Sequence, residues 1–244
     1  MRIQVINPNT NGSMTQQICT VASAAASLGT QVTVMAPEHG PVSIESHFDE
    51  AVAGAALLEC VEAGRAQGYD AHVIACFGDP ALYAARELAY GPVLGIAEAA
   101  MHAAVLLATR FSIVTSLHRT AIQSEELLRR YGFERHCRRI RAVNTPVLDI
   151  VKQGCLADVR IRDECRRARD EDDIGAIVLG CAGMGALAGP LSAELGLPVI
   201  DGVGVAVRMC EALVGMGLHT SKFGDLASPP HKHFKGRYEH WSKP

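Results

Sequence analysis

The stretch "AHVIACFGDP", residues 71–80, is an apolar run that ends at a cysteine and breaks into a Phe-Gly-Asp-Pro turn. A short apolar run bounded by turn residues is typical of a buried strand. The stretch "AIVLGCAGMG", residues 176–185, has the same pattern, and Cys181 follows Cys76 by 105 positions (181 − 76). The chain therefore contains the same strand-to-helix junction twice.

The repeat extends along most of the 244-residue chain. In the first half, hydrophobic periodicity predicts strands at 2–7, 31–37, 71–76 and 92–96, alternating with helices at 13–28, 46–65, 80–89 and 97–108. The second half has the same order, with strands at 110–116, 139–144, 175–181 and 198–201, helices ending near 130 and 170, a helical stretch after Cys181 and a last helix at 203–216. The second strands are offset by 108 positions (139 − 31), so the spacing is nearly constant.

This duplication predicts an α/β fold of two similar lobes, related by pseudo-twofold symmetry. Alternating strands and helices favour a mostly parallel four-stranded sheet in each lobe, flanked by helices. In such sheets ligands bind beyond the carboxyl ends of the strands. We expect the active site in the cleft between the lobes, with Cys76 and Cys181 on opposite sides of it.

Two opposed thiols suit the removal of a proton from one face of a carbon and its delivery to the other face, which inverts a stereocentre. A free thiol has a pKa of about 8.5, and the N–H groups at a helix N-terminus lower it. Either cysteine can therefore supply a thiolate base near neutral pH. The backbone N–H groups that follow each cysteine can also bind an enolate oxygen; they belong to Phe77, Gly78, Ala182 and Gly183.

Three further polar loops are predicted at the rim of the cleft. The loop "NPNTN" at 7–11 follows the first strand, and "TSLHRT" at 115–120 is its counterpart in the second half. The third loop, "PVSIESHFDEA" at 41–51, follows the second strand and leads into a helix. We expect substrate contacts from Asn9, Ser43, Thr115 and Ser116. The alternative is that these residues serve turns and helix caps, as Asn, Ser and Thr commonly do. His47 is interpreted as a structural residue rather than a catalytic base.

Composition excludes several classes of partner. Lys and Arg number 23 against 26 Asp and Glu, a formal charge of −3, so neither nucleic acid nor an acidic membrane is an expected partner. The basic run at 130–141 is interpreted as a solvated helix end, because no RNA-binding motif accompanies it. No apolar run reaches the length of a membrane span, and the opening "MRIQVINPNT" is too polar for an export signal.

The eight cysteines include no C-x-x-C pair and no zinc-site spacing, so we expect no metal site. Their number and the missing export signal favour a cytoplasmic location with reduced thiols. Other interpretations of Cys76 and Cys181 are core filling and a redox disulfide.

The alternative functions are a non-catalytic two-lobe binding protein and a thiol hydrolase. A thiol hydrolase needs a general base beside its cysteine, and no histidine pairs with either cysteine in the motifs.

The chain resembles the aspartate/glutamate/hydantoin racemase superfamily along almost its whole length. The resemblance rests on six blocks in order: "INPNTN" (6–11), "SIESHFDEA" (43–51), "HVIACFGDPALYAARELAYGPVLGIAEAAMH" (72–102), "ATRFSIVTSLHRT" (108–120), "AIVLGCAGM" (176–184) and "LPVIDGV" (197–203). The tail from about Ser228 matches no family pattern, and we expect it to form a surface arm or a subunit contact.

The resemblance implies two Rossmann-like lobes and a cofactor-independent two-base racemase, with Cys76 and Cys181 as the proton donor and acceptor. It also implies that the last helix returns to the first lobe, so that the lobes comprise 1–97 plus 207–244 and 98–206. A homo-oligomer is expected. The implied substrate is allantoin, racemised through an enolate at C5, with 5-monosubstituted hydantoins as the alternative.

Overall fold

The structure, a computed structural model, describes residues 1–152 and 156–242. Its first half contains β1 (Arg2–Ile6), α1 (Gly12–Ala25), β2 (Gln31–Met35), α2 (His47–Ala66), β3 (Ala71–Ile74), α3 (Leu82–Leu88), β4 (Val93–Gly95) and α4 (Ile96–Leu107). Its second half contains β5 (Phe111–Thr115), α5 (His118–Tyr131), β6 (Cys137–Ala142), α6 (Val147–Ile150), α7 (Leu156–Glu171), β7 (Ala176–Gly180), α8 (Ala188–Leu195), β8 (Val199–Ile200) and α9 (Gly202–Gly215). Short 3₁₀ helices lie at Ala182–Leu187, Gly224–Leu226 and Gly236–Trp241.

The predicted fold class is confirmed. One sheet has the strand order β2-β1-β3-β4 and the other has the order β6-β5-β7-β8, so the two halves share one topology. Every strand pair is parallel. Because β1 lies beside β3 and β5 lies beside β7, the loop after β1 borders the turn with Cys76 and the loop after β5 borders the turn with Cys181.

A single buried apolar cluster joins the two sheets. It contains Ile3 and Val5 of β1, Ile113 of β5, Val178 of β7 and the inward faces of α4 and α9. Helices α4 and α9 pack against each other, and α9 also contacts α1 and β3. The last helix therefore packs on the first sheet, which supports the lobe boundaries 1–97 plus 207–244 and 98–206 as a proposal.

The first turns of α4 and α9 meet at Gly202. A Cβ atom at this position would lie 2.3 Å from the carbonyl oxygen of Ile96 and 2.9 Å from its Cβ. Asp201 caps α9, since its carboxylate accepts hydrogen bonds from the N–H groups of Val203 (3.2 Å) and Gly204 (2.7 Å). This close crossing sets the distance between the two sheets.

Some predicted elements differ in their limits. The helix predicted up to about residue 170 is divided into α6 and α7, and 153–155 of that prediction lie outside the described residues. The helix predicted from 80 begins at Leu82, because Asp79 (φ 45°) and Ala81 (φ 52°) adopt left-handed backbone conformations.

Within the basic run at 130–141, Arg141 is buried rather than solvated, and its guanidinium donates to the carboxylate of Asp172 at 2.6 and 2.7 Å.

No helix in the described part of the chain is long and apolar enough to cross a membrane. The described residues of the tail beyond Ser228 are mostly exposed, and they form the 3₁₀ helix Gly236–Trp241.

Gly202→Ala is predicted to lower the free energy of unfolding by about 1–3 kcal/mol, because the new methyl group overpacks the crossing of α4 and α9. Thermal unfolding measures the loss as a shift of about 2–4 °C per kcal/mol. Gly215→Ala is the matched control, since it adds the same methyl group to the other end of α9, where nothing lies within 4 Å. An equal shift in both variants would contradict a packing effect at the crossing.

Candidate active site

The carboxyl ends of the two sheets face one cleft, and both cysteines lie on its wall. The residues next to the thiols that were predicted as substrate contacts lie there too: Phe77, Gly78 and Ala182. The rim loops contribute Asn9, Thr115 and Ser116. The structure thus brings together most of the predicted site residues from four separate loops.

Two predicted residues are not part of the cleft wall. Ser43 does not line the cleft, whereas its neighbour Ile44 does. Gly183 lies behind Cys181, with its backbone N–H directed at the sulfur. Direct substrate contacts by Ser43 and Gly183 therefore stay predictions.

The two cysteine turns have the same hydrogen bonds. The carbonyl oxygen of Cys76 accepts from the N–H of Asp79, and that of Cys181 accepts from the N–H of Met184, both at 3.0 Å. The sulfur of Cys76 faces the N–H of Gly78, as the sulfur of Cys181 faces that of Gly183. The duplication seen in the sequence therefore extends to the atoms around each thiol.

Asp79 anchors the first of these turns. Its buried carboxylate accepts from the N–H groups of Ala97 (3.1 Å) and Glu98 (2.9 Å) at the start of α4, and from the hydroxyl of Tyr131 (2.8 Å) on α5. A Cβ on Gly95 would lie 2.2 Å from this carboxyl group, so glycine leaves the space that Asp79 fills. Burial raises the pKa of Asp79 to about 7.

Burial also controls the charge of the thiols. It raises the pKa of Cys181 to about 11 and raises the pKa of Cys76 as well, and the nearby carboxyl groups of Glu50 and Asp79 add to the shift at Cys76. The facing backbone N–H groups lower both pKa values, but their effect is smaller than that of burial. Burial therefore favours the protonated form of both thiols in the unliganded protein, against the backbone N–H groups that favour the thiolate.

Asn9 has a structural task as well as a place on the wall. Its Oδ1 accepts from the side-chain amide of Asn7 and from the backbone N–H of Asn11, both at 2.9 Å. Its Nδ2 lies 3.1 Å from the sulfur of Met14. Asn11 then caps α1, accepting from the N–H of Met14 at 2.9 Å. The turn-and-cap interpretation of this loop is therefore correct. The side chain of Asn9 also lines the cleft, where these hydrogen bonds fix its orientation.

Helix α5 contributes polar wall residues that sequence reasoning missed: Thr120, Gln123 and Ser124. Their spacing of three and four positions places them on one face of the helix. The hydroxyl of Thr120 donates to the carbonyl of Leu117 (2.8 Å) and lies 3.0 Å from the hydroxyl of Thr115. The signal in the sequence was this polar face on a helix whose other inward positions, Leu127 and Leu128, are apolar.

Glu50 on α2 also lines the cleft, with its carboxyl group against Gly78. Burial raises the pKa of Glu50. The exposed His47 lies 3.7 Å from Glu50 and does not line the cleft, in agreement with its interpretation as a structural residue. Within 1–152 and 156–242 no three His, Cys, Asp or Glu side chains are grouped so as to hold a metal ion.

A segment of the first lobe, residues 41–46, crosses to the second lobe, and we call it the strap. Its anchor is Glu45, whose carboxylate accepts from the backbone N–H of Val147 at 2.7 Å. The N–H of Glu45 in turn donates to Asp49 at 3.0 Å. Ile44 of the strap and Val147 both line the cleft, so the Glu45 bond closes one side of it.

Comparisons with known proteins show the family of the chain. A family profile described as Asp/Glu/Hydantoin racemase matches residues 3–210. The chain belongs to the Asp/Glu/hydantoin racemase family. It is therefore a racemase, an enzyme of the isomerase class.

The relatives of this racemase are named for two different substrates, allantoin and hydantoin. The allantoin racemase from Klebsiella pneumoniae is 55% identical with a TM-score of 0.97, over 99% of this chain and 98% of that one. The allantoin racemase from Pseudomonas fluorescens is 36% identical with a TM-score of 0.92, over 97% of this chain and 100% of that one. A hydantoin racemase from Rhizobium meliloti is 46% identical over 94% of this chain and 95% of its own length.

Glu45→Ala is predicted to raise the KM for racemisation about 10-fold and to leave kcat within about twofold, because one charge-assisted hydrogen bond that holds the strap is lost. Racemisation assays with allantoin and with 5-monosubstituted hydantoins measure both constants. Glu45→Gln keeps an oxygen acceptor for the N–H of Val147 and serves as the control. A fall in kcat at unchanged KM would contradict the role given to the strap.

Proposed function

We propose that this racemase interconverts (R)- and (S)-allantoin through an enolate at C5, with Cys76 and Cys181 as the two bases. The observation that supports the proposal best is the presence of two thiols with matching hydrogen-bonded turns on one cleft, contributed by two pseudo-symmetric sheets. A carbon held between them meets one sulfur on each face.

In the proposed reaction, the thiolate of one cysteine takes the proton from C5, and the electron pair of the C–H bond moves into the adjacent ring carbonyl. The resulting enolate is planar at C5. The thiol of the opposite cysteine then donates its proton to the other face, and the carbonyl re-forms. The first sulfur ends as a thiol and the second as a thiolate, so the enzyme is ready for the reverse direction.

The surroundings of the two sulfurs favour this exchange of roles. Because both pKa values are raised, the reactive form with one thiolate is a minority of the resting enzyme. We assign the backbone N–H groups of Phe77 and Ala182 to the enolate oxygen and the ring carbonyls, with hydroxyls of Thr115 and Ser116 at the rim. The N–H groups of Gly78 and Gly183 face the two sulfurs and favour the thiolate.

Allantoin is favoured as the substrate by two observations. The allantoin racemase from Klebsiella pneumoniae matches nearly the whole chain at 55% identity. The polar wall on α5 can pair with the ureido group that allantoin carries at C5. The second candidate is a 5-monosubstituted hydantoin, favoured by the 46% identical hydantoin racemase and by the apolar side chains of Met14, Ile44 and Val147 on the same cleft.

The proposed mechanism uses no metal and no organic cofactor, since both proton transfers are made by the thiols. Cysteines 19, 60, 76, 137, 165, 181 and 210 are free in the described part of the chain, which supports a cytoplasmic location as part of the proposal. Cys155 lies outside the described residues. A homo-oligomer stays a prediction.

The substrate assignment predicts that the circular dichroism of enantiopure allantoin decays well above the spontaneous rate with the enzyme, while that of 5-benzylhydantoin decays at least about 10-fold more slowly. Polar recognition of the ureido group is the physical reason. Chromatography confirms that the compounds stay intact. The reverse order of rates would make 5-monosubstituted hydantoins the substrates, and accumulation of a ring-opened product would indicate a hydrolase.

Cys76→Ser and Cys181→Ser are each predicted to lower racemisation by at least about 100-fold, because a serine hydroxyl replaces one acid–base group. In deuterated water, each variant should still exchange the C5 proton of one enantiomer, and the two variants should prefer opposite enantiomers. NMR of the C5 proton measures this exchange. Cys19→Ser, on α1 and outside the cleft, is the control. Equal loss of exchange for both enantiomers in both variants would contradict the division of roles.

A further inference from the structure

Gln123 carries an unused hydrogen-bond donor at the active site. The residue is only 9% exposed, and its Nε2 is buried without a hydrogen-bond partner among the described residues. Buried side-chain amides are nearly always paired, so an exception on the wall of a binding cleft points to a ligand. A ligand with a hydrogen-bond acceptor would complete this site.

The position of Gln123 separates two cavities. It lines the cleft with Cys76 and Cys181, and it also lines an adjoining cavity of about 270 Å³ whose wall includes Glu50, Glu126 and Arg130. The side chain of Gln123 therefore lies where the cleft borders a cavity with charged groups on its wall.

The other two polar wall residues of α5 are already occupied. The hydroxyl of Ser124 donates to the carbonyl oxygen of Thr120 at 2.8 Å. The hydroxyl of Thr120 donates to the carbonyl of Leu117 and also accepts from its N–H at 3.0 Å. Within the described residues, Gln123 is thus the member of this polar face whose donor has no partner.

We propose that Gln123 determines substrate specificity by donating a hydrogen bond from Nε2 to the carbonyl oxygen of the ureido group at C5 of allantoin. The inference rests on the proposed function and deepens it. The ring carbonyls have the backbone N–H groups of the two cysteine turns as donors, so the amide on α5 serves the substituent. An apolar substituent leaves Nε2 unpaired, and a site built around a polar group discriminates against an analogue that lacks it.

The chain offers a matched control in Gln17 on α1. This glutamine also has a buried amide atom without a partner, Oε1, while its Nε2 donates to the carbonyl oxygen of Val151 at 2.6 Å. Gln17 does not line the cleft. The two glutamines therefore share an unpaired amide atom and differ in their access to the substrate.

The experiment measures kcat/KM for allantoin and for 5-isobutylhydantoin with the wild type, Gln123→Met and Gln17→Met. In Gln123→Met, the value for allantoin is expected to fall about 10- to 100-fold, because methionine has a similar size and no N–H donor. The value for 5-isobutylhydantoin should stay within about threefold. Gln17→Met should leave the ratio of the two values unchanged.

A Gln123→Glu variant keeps the shape of the side chain and removes its N–H donors, and a thermal unfolding measurement checks that this variant is folded. It should lose activity on allantoin selectively as well. An equal fall in kcat/KM for both substrates, or no fall in either variant of Gln123, would overturn the inference and leave the proposed function standing. A wild-type enzyme that racemises neither compound would instead overturn the proposed function, and the inference with it.

Discussion

The apolar core shared by the two sheets holds the turn after β3 opposite the turn after β7, and the rest of the site depends on this arrangement. The cluster runs from Val5 and Ile3 through α4 and α9 to Ile113 and Val178. Close packing makes such an interior resist deformation. The two sulfurs are thereby fixed to one frame, which a reaction between them requires, since a displacement of about 1 Å in an active site can cost a factor of 100 in rate.

An aspartate and a glycine lie against each other beside each cysteine turn. Asp79 belongs to the first turn itself and reaches the N-terminus of α4 over Gly95. In the second lobe the carboxylate is Asp201, at the start of α9, and a Cβ on Gly185 would lie 2.7 Å from it. Both lobes thus contain the same pair of residue types in opposite places. In the first lobe the aspartate belongs to the cysteine turn and the glycine precedes the helix, and in the second lobe the glycine belongs to the turn and the aspartate precedes the helix. Tyr131 adds a bond from α5 to Asp79 that links the lobes.

Most of the fold could be predicted from the sequence, because each strand is an apolar run followed by a turn and the pattern occurs twice. The repeat also singled out Cys76 and Cys181. Periodicity does not show which residue of a loop turns inward, so Ser43 was expected where Ile44 lies, and the Glu45 bond to Val147 was not foreseen. Gln123 was missed because a polar residue on an amphipathic helix normally faces solvent. The pKa of the thiols depends on the depth of burial, which the order of residues does not give.

The central claim is that two opposed thiols transfer protons at one carbon, and the wild-type enzyme can test it in deuterated water with one enantiomer of allantoin, stopped at low conversion. The two-base account predicts that the product carries deuterium at C5, delivered by the opposite thiol, while the recovered substrate keeps protium. Mass spectrometry after chiral separation measures both, with the spontaneous reaction subtracted. Product that keeps its protium would show that a single base returns the same proton, and it would contradict the account.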